Sequence, residues 1–412
     1  MNRFLVIGSN FTGLKKALAS HGHDYITLKD VLKIKHPEVV TPKQVPCDFS
    51  SKESVLAAVD TITEPIDAVI TVYENYIRPA SWVADHLNLP GLPLEAAEAC
   101  TDKQFMRELF STCETKISPD FTVVNNEDEL LRFADTHTFP LILKPANLVK
   151  SLLVSKCSTR EELIETYKHT VEQMPGIYKK YAPNREPKLL IEEFLEGTIH
   201  SVDAFVDADG TPHVLEHVVD YLTGYDIGYE DNFHYARLLP SKLSSEKIEA
   251  IRHTAELGCR ALGMKNSAAH VEIILTKAGP RVVEIGARNG GYRERMHRLA
   301  NDIDLMPIAF DVALNKKPII TSHANRSCAV LELFPRTPGI FTGINNEDAV
   351  KGLISLQYFA LKQTVGEYVG SSSNGYKMCA IIILAHESRK QFEQDLTFVN
   401  KSVFVTTRLR TV

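Results

Sequence analysis

Two short apolar runs near residue 280 constrain this chain more than any other feature of its sequence. AHVEIILT and PRVVEIGA are separated only by Lys277-Ala278-Gly279, so they read as the two arms of an antiparallel hairpin. Each arm carries one glutamate among apolar neighbours, Glu272 and Glu284. The two lie equally far from Ala278, which sets them directly opposite each other and on one face of the sheet. Like charges so placed are destabilising unless a cation compensates them. Hard carboxylate oxygens completed by phosphates suit Mg²⁺. In another hairpin register one of the glutamates would simply face solvent.

The rest of the chain supplies the frame. Arg3–Ile7, a helical stretch to about residue 20, a strand in HDYITL, a helix at about 51–60 and the buried run 67–73 alternate as β-α-β. That alternation predicts a parallel sheet flanked by helices, hence an α/β class. Gly8 and Gly13 bracket a tight strand-to-helix turn that lacks the dinucleotide pattern of glycines. LNLPGLPLEAAEA places a domain boundary near residue 98. A second block holds strands at 121–124, LILKP and LLVSK, with helices at about 126–137 and 159–173. The third opens with KLLIEEFLEG (188–197) and continues into HSVDAFVD and PHVLEHVVD, a hairpin turned by Asp207–Gly210. Residues 220–241 show no clear period and read as a long loop before a helix at 244–262. The last ninety or so residues carry short strands (CAVLELF, CAIIILA) and a helix at about 387–395.

Bulk properties exclude several classes. Forty-six basic against 52 acidic residues leave a net charge of −6, and no basic run marks a nucleic-acid footprint. The seven cysteines are scattered, odd in number and form no C-x-x-C pair; a reducing, cytoplasmic setting is expected. No apolar stretch approaches the length of a membrane span, and the N-terminus lacks a signal-type apolar region.

Several single residues fit phosphate chemistry. Lys144 ends the apolar strand Leu141-Ile142-Leu143, where an anchored ammonium faces either a crevice or solvent. Lys103 follows Thr101-Asp102, either of which can cap a helix. Arg288 lies four residues beyond Glu284 in ARNGGY, where it meets either a transferring phosphoryl group or a nearby acid, and Gly290 and Gly291 open the backbone to an anion. Glu192, Glu193, Phe194 and Leu195 end the strand KLLIEEF; backbone groups there can meet an adenine edge, or the glutamates are simply exposed acids.

Taken in order, TDKQFMRELF, FPLILKPA, IEEFLEG, HVEIIL and VVEIGARNGG resemble the ATP-grasp superfamily over roughly residues 1–320. E-I-x-A-R-x-G-G, the KPxNLxxSLxV loop and a C-terminal lobe resemble L-amino acid ligases in particular. The resemblance implies an ATP-grasp fold: an N-terminal Rossmann-like domain (1–98), a lid (99–187), a large subdomain with metal and substrate sites (188–320) and a small α+β C-terminal lobe (321–412). It implies that Lys103, Lys144 and Ser151 hold ATP phosphates and that Glu192, Glu193, Phe194 and Leu195 line the adenine hinge. Glu272 and Glu284 would bind Mg²⁺ and Arg288 the acyl phosphate, with Gly291 and Tyr292 near the substrate. The implied reaction phosphorylates one amino acid's carboxylate with ATP and lets another's amine displace phosphate. Amino acids are then the partners, without nucleic acid or membrane, and a homodimer is the assembly to test.

The chain departs from the family pattern in three places. The flap Ala146–Leu153 has no glycine, leaving Asn147, Lys150 and Ser151 to cover phosphates. Ile199 stands where the family often has a ribose-binding glutamate, with Asp203 the substitute. Glu284-Ile285-Gly286 replaces E-x-N, so Asn289 is the candidate for a missing metal donor. For substrate, Asp226, Glu230 and Asp231 in the 220–241 loop are candidates to receive a cationic group, and His234 or Arg237 a carboxylate. A basic amino acid as one substrate follows from that placement. An ATP-grasp ligase or carboxylase for another acid, and a nucleotide-binding protein without turnover, are the competing readings.

Overall fold

The computed structural model describes residues 1–8, 12–33, 43–148, 152–182, 184–372 and 375–409. β1 (Arg3–Ile7), β2 (Asp24–Asp30), β3 (Gln44–Cys47) and β4 (Ala68–Ile70) form a parallel sheet in the order β3-β2-β1-β4, as the β-α-β alternation predicts. β5 (Phe121–Val123), β6 (Leu141–Pro145), β7 (Ser155–Cys157) and β8 (Leu189–Glu193) form an antiparallel sheet, order β5-β8-β6-β7, backed by helices Glu127–Thr136 and Arg160–Tyr181. The second helix runs through Pro175 to Tyr181, past the end at 173 that the sequence predicts. Tyr178 is buried there, and its hydroxyl donates to the Asn147 amide oxygen at 2.5 Å.

The remaining strands are β9 (Gly197–Val206), β10 (Pro212–Val214), β11 (Val219–Thr223), β12 (His234–Leu239), β13 (Ser267–Thr276), β14 (Gly279–Gly286), β15 (Ser327–Leu333), β16 (Gly339–Ile344), β17 (Leu356–Leu361), β18 (Tyr368–Val369), β19 (Ala380–His386) and β20 (Val405–Arg408). Nine of them make one sheet, β14-β13-β9-β11-β12-β15-β19-β17 with β10 on β9, while β18-β16-β20 make a small one. The expected loop at 220–241 is thus largely a correction: β11 and β12 pair antiparallel inside the large sheet, and only its tip is irregular. Along β11 buried and half-buried residues alternate, whereas β12 shows no such period and is held as a strand by its neighbours.

Packing divides the chain differently from the boundaries drawn at 98, 187 and 320. Helix Lys103–Phe110 sits with helix Ser245–Ala261 on the back of the large sheet, its Met106 and Phe110 against Val202, Val271 and Ile285. β8 lies in the lid sheet, and β15, β17 and β19 extend the large sheet across residue 320.

Helix Leu305–Ala313 is apolar on both sides. Leu305, Ile308 and Val312 pack with Phe205 of the large sheet, and Met306, Phe310 and Ala313 pack on Phe4 and Val6 of the N-terminal sheet. A helix apolar all round belongs in an interior, and here it fixes the N-terminal sheet beside the front of the large one. Among the described residues no helix is long and apolar enough to cross a membrane.

Candidate active site

The front face of the large sheet carries the chemistry. Glu272 pairs directly opposite Glu284, and a register shift follows at Ile273. Ser201 lies opposite Glu272 on β9, and Asp203 opposite His270, so Ile199, Ser201, Asp203, His270 and Glu272 share this face. Even-numbered Val202 and Ala204 point to the core behind.

Lys103 reaches this face from its helix N-terminus, which Asp102 caps through Gln104 N–H at 3.0 Å. Its Nζ is 2.9 Å from Glu284 Oε2. Burial works against the ammonium, but Glu284 and Glu74 hold its pKa above the ordinary lysine value. Lys103 in turn holds Glu284 below the usual carboxylate range, against burial and the charge of Glu272.

Lys144 and Glu192 stand on the same face of the lid sheet, because Ile142 is the residue opposite Glu192. Lys144 Nζ lies 2.7 Å from Glu192 Oε2. Arg107, 0% exposed, donates Nε–H to Glu192 Oε1 at 3.1 Å and Nη2–H to the Val283 carbonyl at 2.6 Å. This arginine ties the lid strand to the hairpin that carries Glu272 and Glu284. Two buried cations therefore share one carboxylate. Burial, helped by Arg107 and Lys103, pushes Lys144 down to about 8 despite Glu192. Burial opposes the Glu192 charge, yet Arg107 and Lys144 keep it ionised below the usual range.

Arg288 takes the second of its two sequence alternatives. Its Nε lies 2.7 Å from Glu74 Oε2, on a 3₁₀ turn of the N-terminal domain. Burial raises the Glu74 pKa even with Arg288 beside it.

Residues 137–294 match the family model described as an ATP-grasp domain. This stretch is an ATP-grasp domain. The N-terminal parallel sheet is separate from it, while its large sheet continues on the C-terminal side into β15, β19 and β17. The chain is 20% identical to the structure of an L-amino acid ligase from Bacillus licheniformis, with a TM-score of 0.77 over 99% of each chain, a likeness of fold. It is 27% identical over 238 residues to an alanine–anticapsin ligase of Bacillus subtilis, covering 55% of this chain and 49% of that protein. The chain thus spans about half the length of that relative. A phosphoribosylamine–glycine ligase of Methanosphaera stadtmanae is 23% identical over 75% of this chain and 73% of its own.

Within and around the ATP-grasp domain, other expected residues fare differently. Phe194 and Leu195 are half-buried at the hinge, the Phe194 ring under the Lys156 ammonium at 4.3 Å. Glu193 turns outward: it accepts from Asp120 N–H at 3.0 Å and pairs with Lys116 at 2.9 Å, so its side chain serves the adjoining loop. Asn147 does not cover phosphates, because it is buried against Tyr178 and donates to the Glu186 carbonyl at 3.2 Å. Lys150 and Ser151 lie outside the described residues. Asp203 is not free for a ribose, being 1% exposed and bonded to His270 Nδ1 at 2.9 Å.

The acids expected to receive substrate are spent or displaced. Asp226 accepts from Thr223 N–H and Oγ1–H at 2.6 and 2.8 Å, which locks the hairpin tip. Glu230 is exposed on that tip, and the Asp231 carbonyl closes on Gly224, where a Cβ would lie 2.2 Å away. The tip docks on the C-terminal lobe, with Tyr229 O–H donating to the Phe334 carbonyl and Phe233 packed on the Phe334 ring.

His234 and Arg237 face the other way, toward Tyr221 and Tyr292. The Arg237 guanidinium lies 5.3 Å from the Tyr292 ring, and Glu332 of β15 accepts from Arg237 at 2.9 Å and Tyr292 O–H at 2.7 Å. Burial lowers the His234 pKa below the ordinary imidazole value. Gly291 is exposed, with nothing near an added Cβ.

Sequence reasoning missed Arg107, Glu74 and Glu332 altogether. Arg107 alone left a signal, lying four residues after Lys103 on the helix face that also carries the buried Phe110.

Proposed function

We propose that this protein is an ATP-dependent ligase that joins the carboxylate of one amino acid to the amine of another, releasing ADP and phosphate. One arrangement carries the reading: opposed carboxylates that need a cation stand on the large sheet, and the lid carboxylate Glu192 is shared by two buried cations, Lys144 of the lid and Arg107 of the helix packed on the large sheet, which together need a further anion. A metal-bound nucleotide phosphate satisfies both demands.

The donors present fit Mg²⁺. Glu272 and Glu284 offer hard oxygens, and Asn289 Oδ1 is buried with no hydrogen-bond partner among the described residues. Among the described residues no group of three or more His, Cys, Asp or Glu side chains is arranged to hold a metal ion on its own, so Asn289 and phosphate oxygens would complete the set. When bound, the ion would neutralise charge on the phosphate oxygens.

The chain's own groups then have definite tasks. Lys144, already charged at neutral pH, and Lys103, on leaving Glu284, hold the phosphates. A substrate carboxylate oxygen attacks the γ-phosphorus as the bond to ADP breaks, giving an acyl phosphate. Arg288, exchanging Glu74 for that phosphate, stabilises the oxygens. The second substrate's amine, having lost its proton, attacks the acyl carbon and phosphate departs. Arg237, stacked on Tyr292, is the group for that substrate's carboxylate. The fold shared with an L-amino acid ligase and the match to an alanine–anticapsin ligase support two amino acids as substrates.

A second reading takes another amine as acceptor, favoured by the longer match to phosphoribosylamine–glycine ligase. In both relatives' names an amino acid is one partner. The test is phosphate release from ATP and Mg²⁺ across pairs of L-amino acids, with products weighed by mass spectrometry. A condensed dipeptide supports the reading. Release that needs one amino acid and a non-amino-acid amine favours the second, and no release with any acid and amine overturns both. A homodimer is proposed for the assembly, and light scattering measures it.

A further inference from the structure

Beside the carboxylate pair, on the same face of the large sheet, lies a buried network of charged and polar side chains. Asp203 Oδ1 accepts from His270 Nδ1 at 2.9 Å and from the Gly290 N–H at 3.2 Å. Its Oδ2 lies 3.6 Å from both Arg293 Nε and His297 Nε2. His270 presents its other nitrogen, Nε2, 3.6 Å from Glu272 Oε1. Arg293 Nη2 donates to Ser201 Oγ at 2.9 Å, and Ser201 is the residue opposite Glu272. A Cβ on Gly290 would lie 2.3 Å from His270 Nδ1, so the loop carrying Arg288 closes directly onto the imidazole.

One carboxylate thus reaches both halves of the site. Through His270 it orients Glu272, and through Gly290 N–H it sets the path of the Arg288–Tyr292 loop. Every group in the network is at least nine-tenths buried, so its geometry is fixed by the fold before any ligand arrives. We infer that Asp203 and His270 are positioning residues that hold the metal carboxylate Glu272 and the Arg288 loop in register with each other. Partners that orient metal ligands typically matter by roughly 10–100-fold in metal affinity or activity.

This inference rests on reading Glu272 and Glu284 as metal carboxylates, and the experiment separates the two. Mn²⁺ binding is measured by electron paramagnetic resonance in the presence of ADP, for the wild-type protein and for Glu284→Ala, Asp203→Asn, His270→Ala and His270→Gln. Thermal melts and metal-free ADP affinity are recorded alongside, with kcat and KM wherever product forms. The expected result is a roughly 10–100-fold weaker Mn²⁺ affinity in Asp203→Asn and His270→Ala, with metal-free ADP affinity unchanged. His270→Gln, which keeps a donor near the Nε2 position, recovers most of that loss. In turnover the effect appears in kcat rather than in the KM for the amine substrate. If Asp203→Asn does not fold, the His270 pair decides. Wild-type Mn²⁺ affinity in the Asp203 and His270 variants overturns the positioning role, as does a Gln variant no better than Ala. If Glu284→Ala also binds Mn²⁺ normally, the metal-site reading itself fails.

Discussion

Lys144 is where pH should expose the nucleotide site. Its ammonium is buried beside Glu192 but also faces Arg107 and Lys103, and burial brings its pKa down to about 8. A bound phosphate adds the missing anion and favours the protonated form. The sign follows: nucleotide binding is strong below that pKa and is lost as pH rises through it. With a free-state value near 8, each further pH unit costs about 1.4 kcal/mol of binding. From about pH 7 to about pH 9.5 the protonated fraction, and with it ADP affinity, falls roughly thirtyfold. Lys103 keeps its charge in this window because Glu284 and Glu74 hold it up. The assay is metal-free ADP titration by calorimetry over that range, repeated with Lys144→Arg, whose guanidinium stays protonated. The variant should give a flat profile. A flat wild-type curve, or an equal slope in both proteins, would refute the reasoning.

Three further outcomes follow from the geometry. Glu284→Ala should lower Mg²⁺-dependent turnover by more than about a hundredfold, since losing a ligand exceeds the usual cost of losing its support; steady-state phosphate release checks it. Arg107→Met removes the buried bridge between Glu192 and Val283, and denaturant melts should show a loss of about 3–5 kcal/mol. Glu230→Ala, at the exposed tip, should change the preference among amino-acid substrates less than about twofold, within the usual neutrality of surface changes; competition between lysine and alanine in product analysis reads this.

How much of the site was legible depends on how local each part is. The Glu272–Glu284 hairpin was legible but its register was not: Thr276 pairs with Gly279, which alone would set Val283 opposite Glu272, and the register shift between Glu272 and Ile273 brings Glu284 there instead. Lys103 and Lys144 were visible because a helix cap and a strand end announce themselves in neighbouring residues. The loop at 220–241 was misread because β11 and β12 owe their strand state to β9 and β15 on either side rather than to their own pattern.

By itself, then, the sequence determined the α/β class and the ATP-grasp order of motifs, both consequences of short-range pattern, whereas the carboxylates meet through a register shift in the hairpin. Only the tertiary structure decided what those groups lean on. Arg107 meets Glu192 across 85 residues and Val283 across 176, Arg288 is held by Glu74 beside the N-terminal sheet, and Tyr292 and Arg237 by Glu332 of β15. A buried charge must find a partner wherever the fold brings one, and nothing in the spacing along the chain says which one that will be.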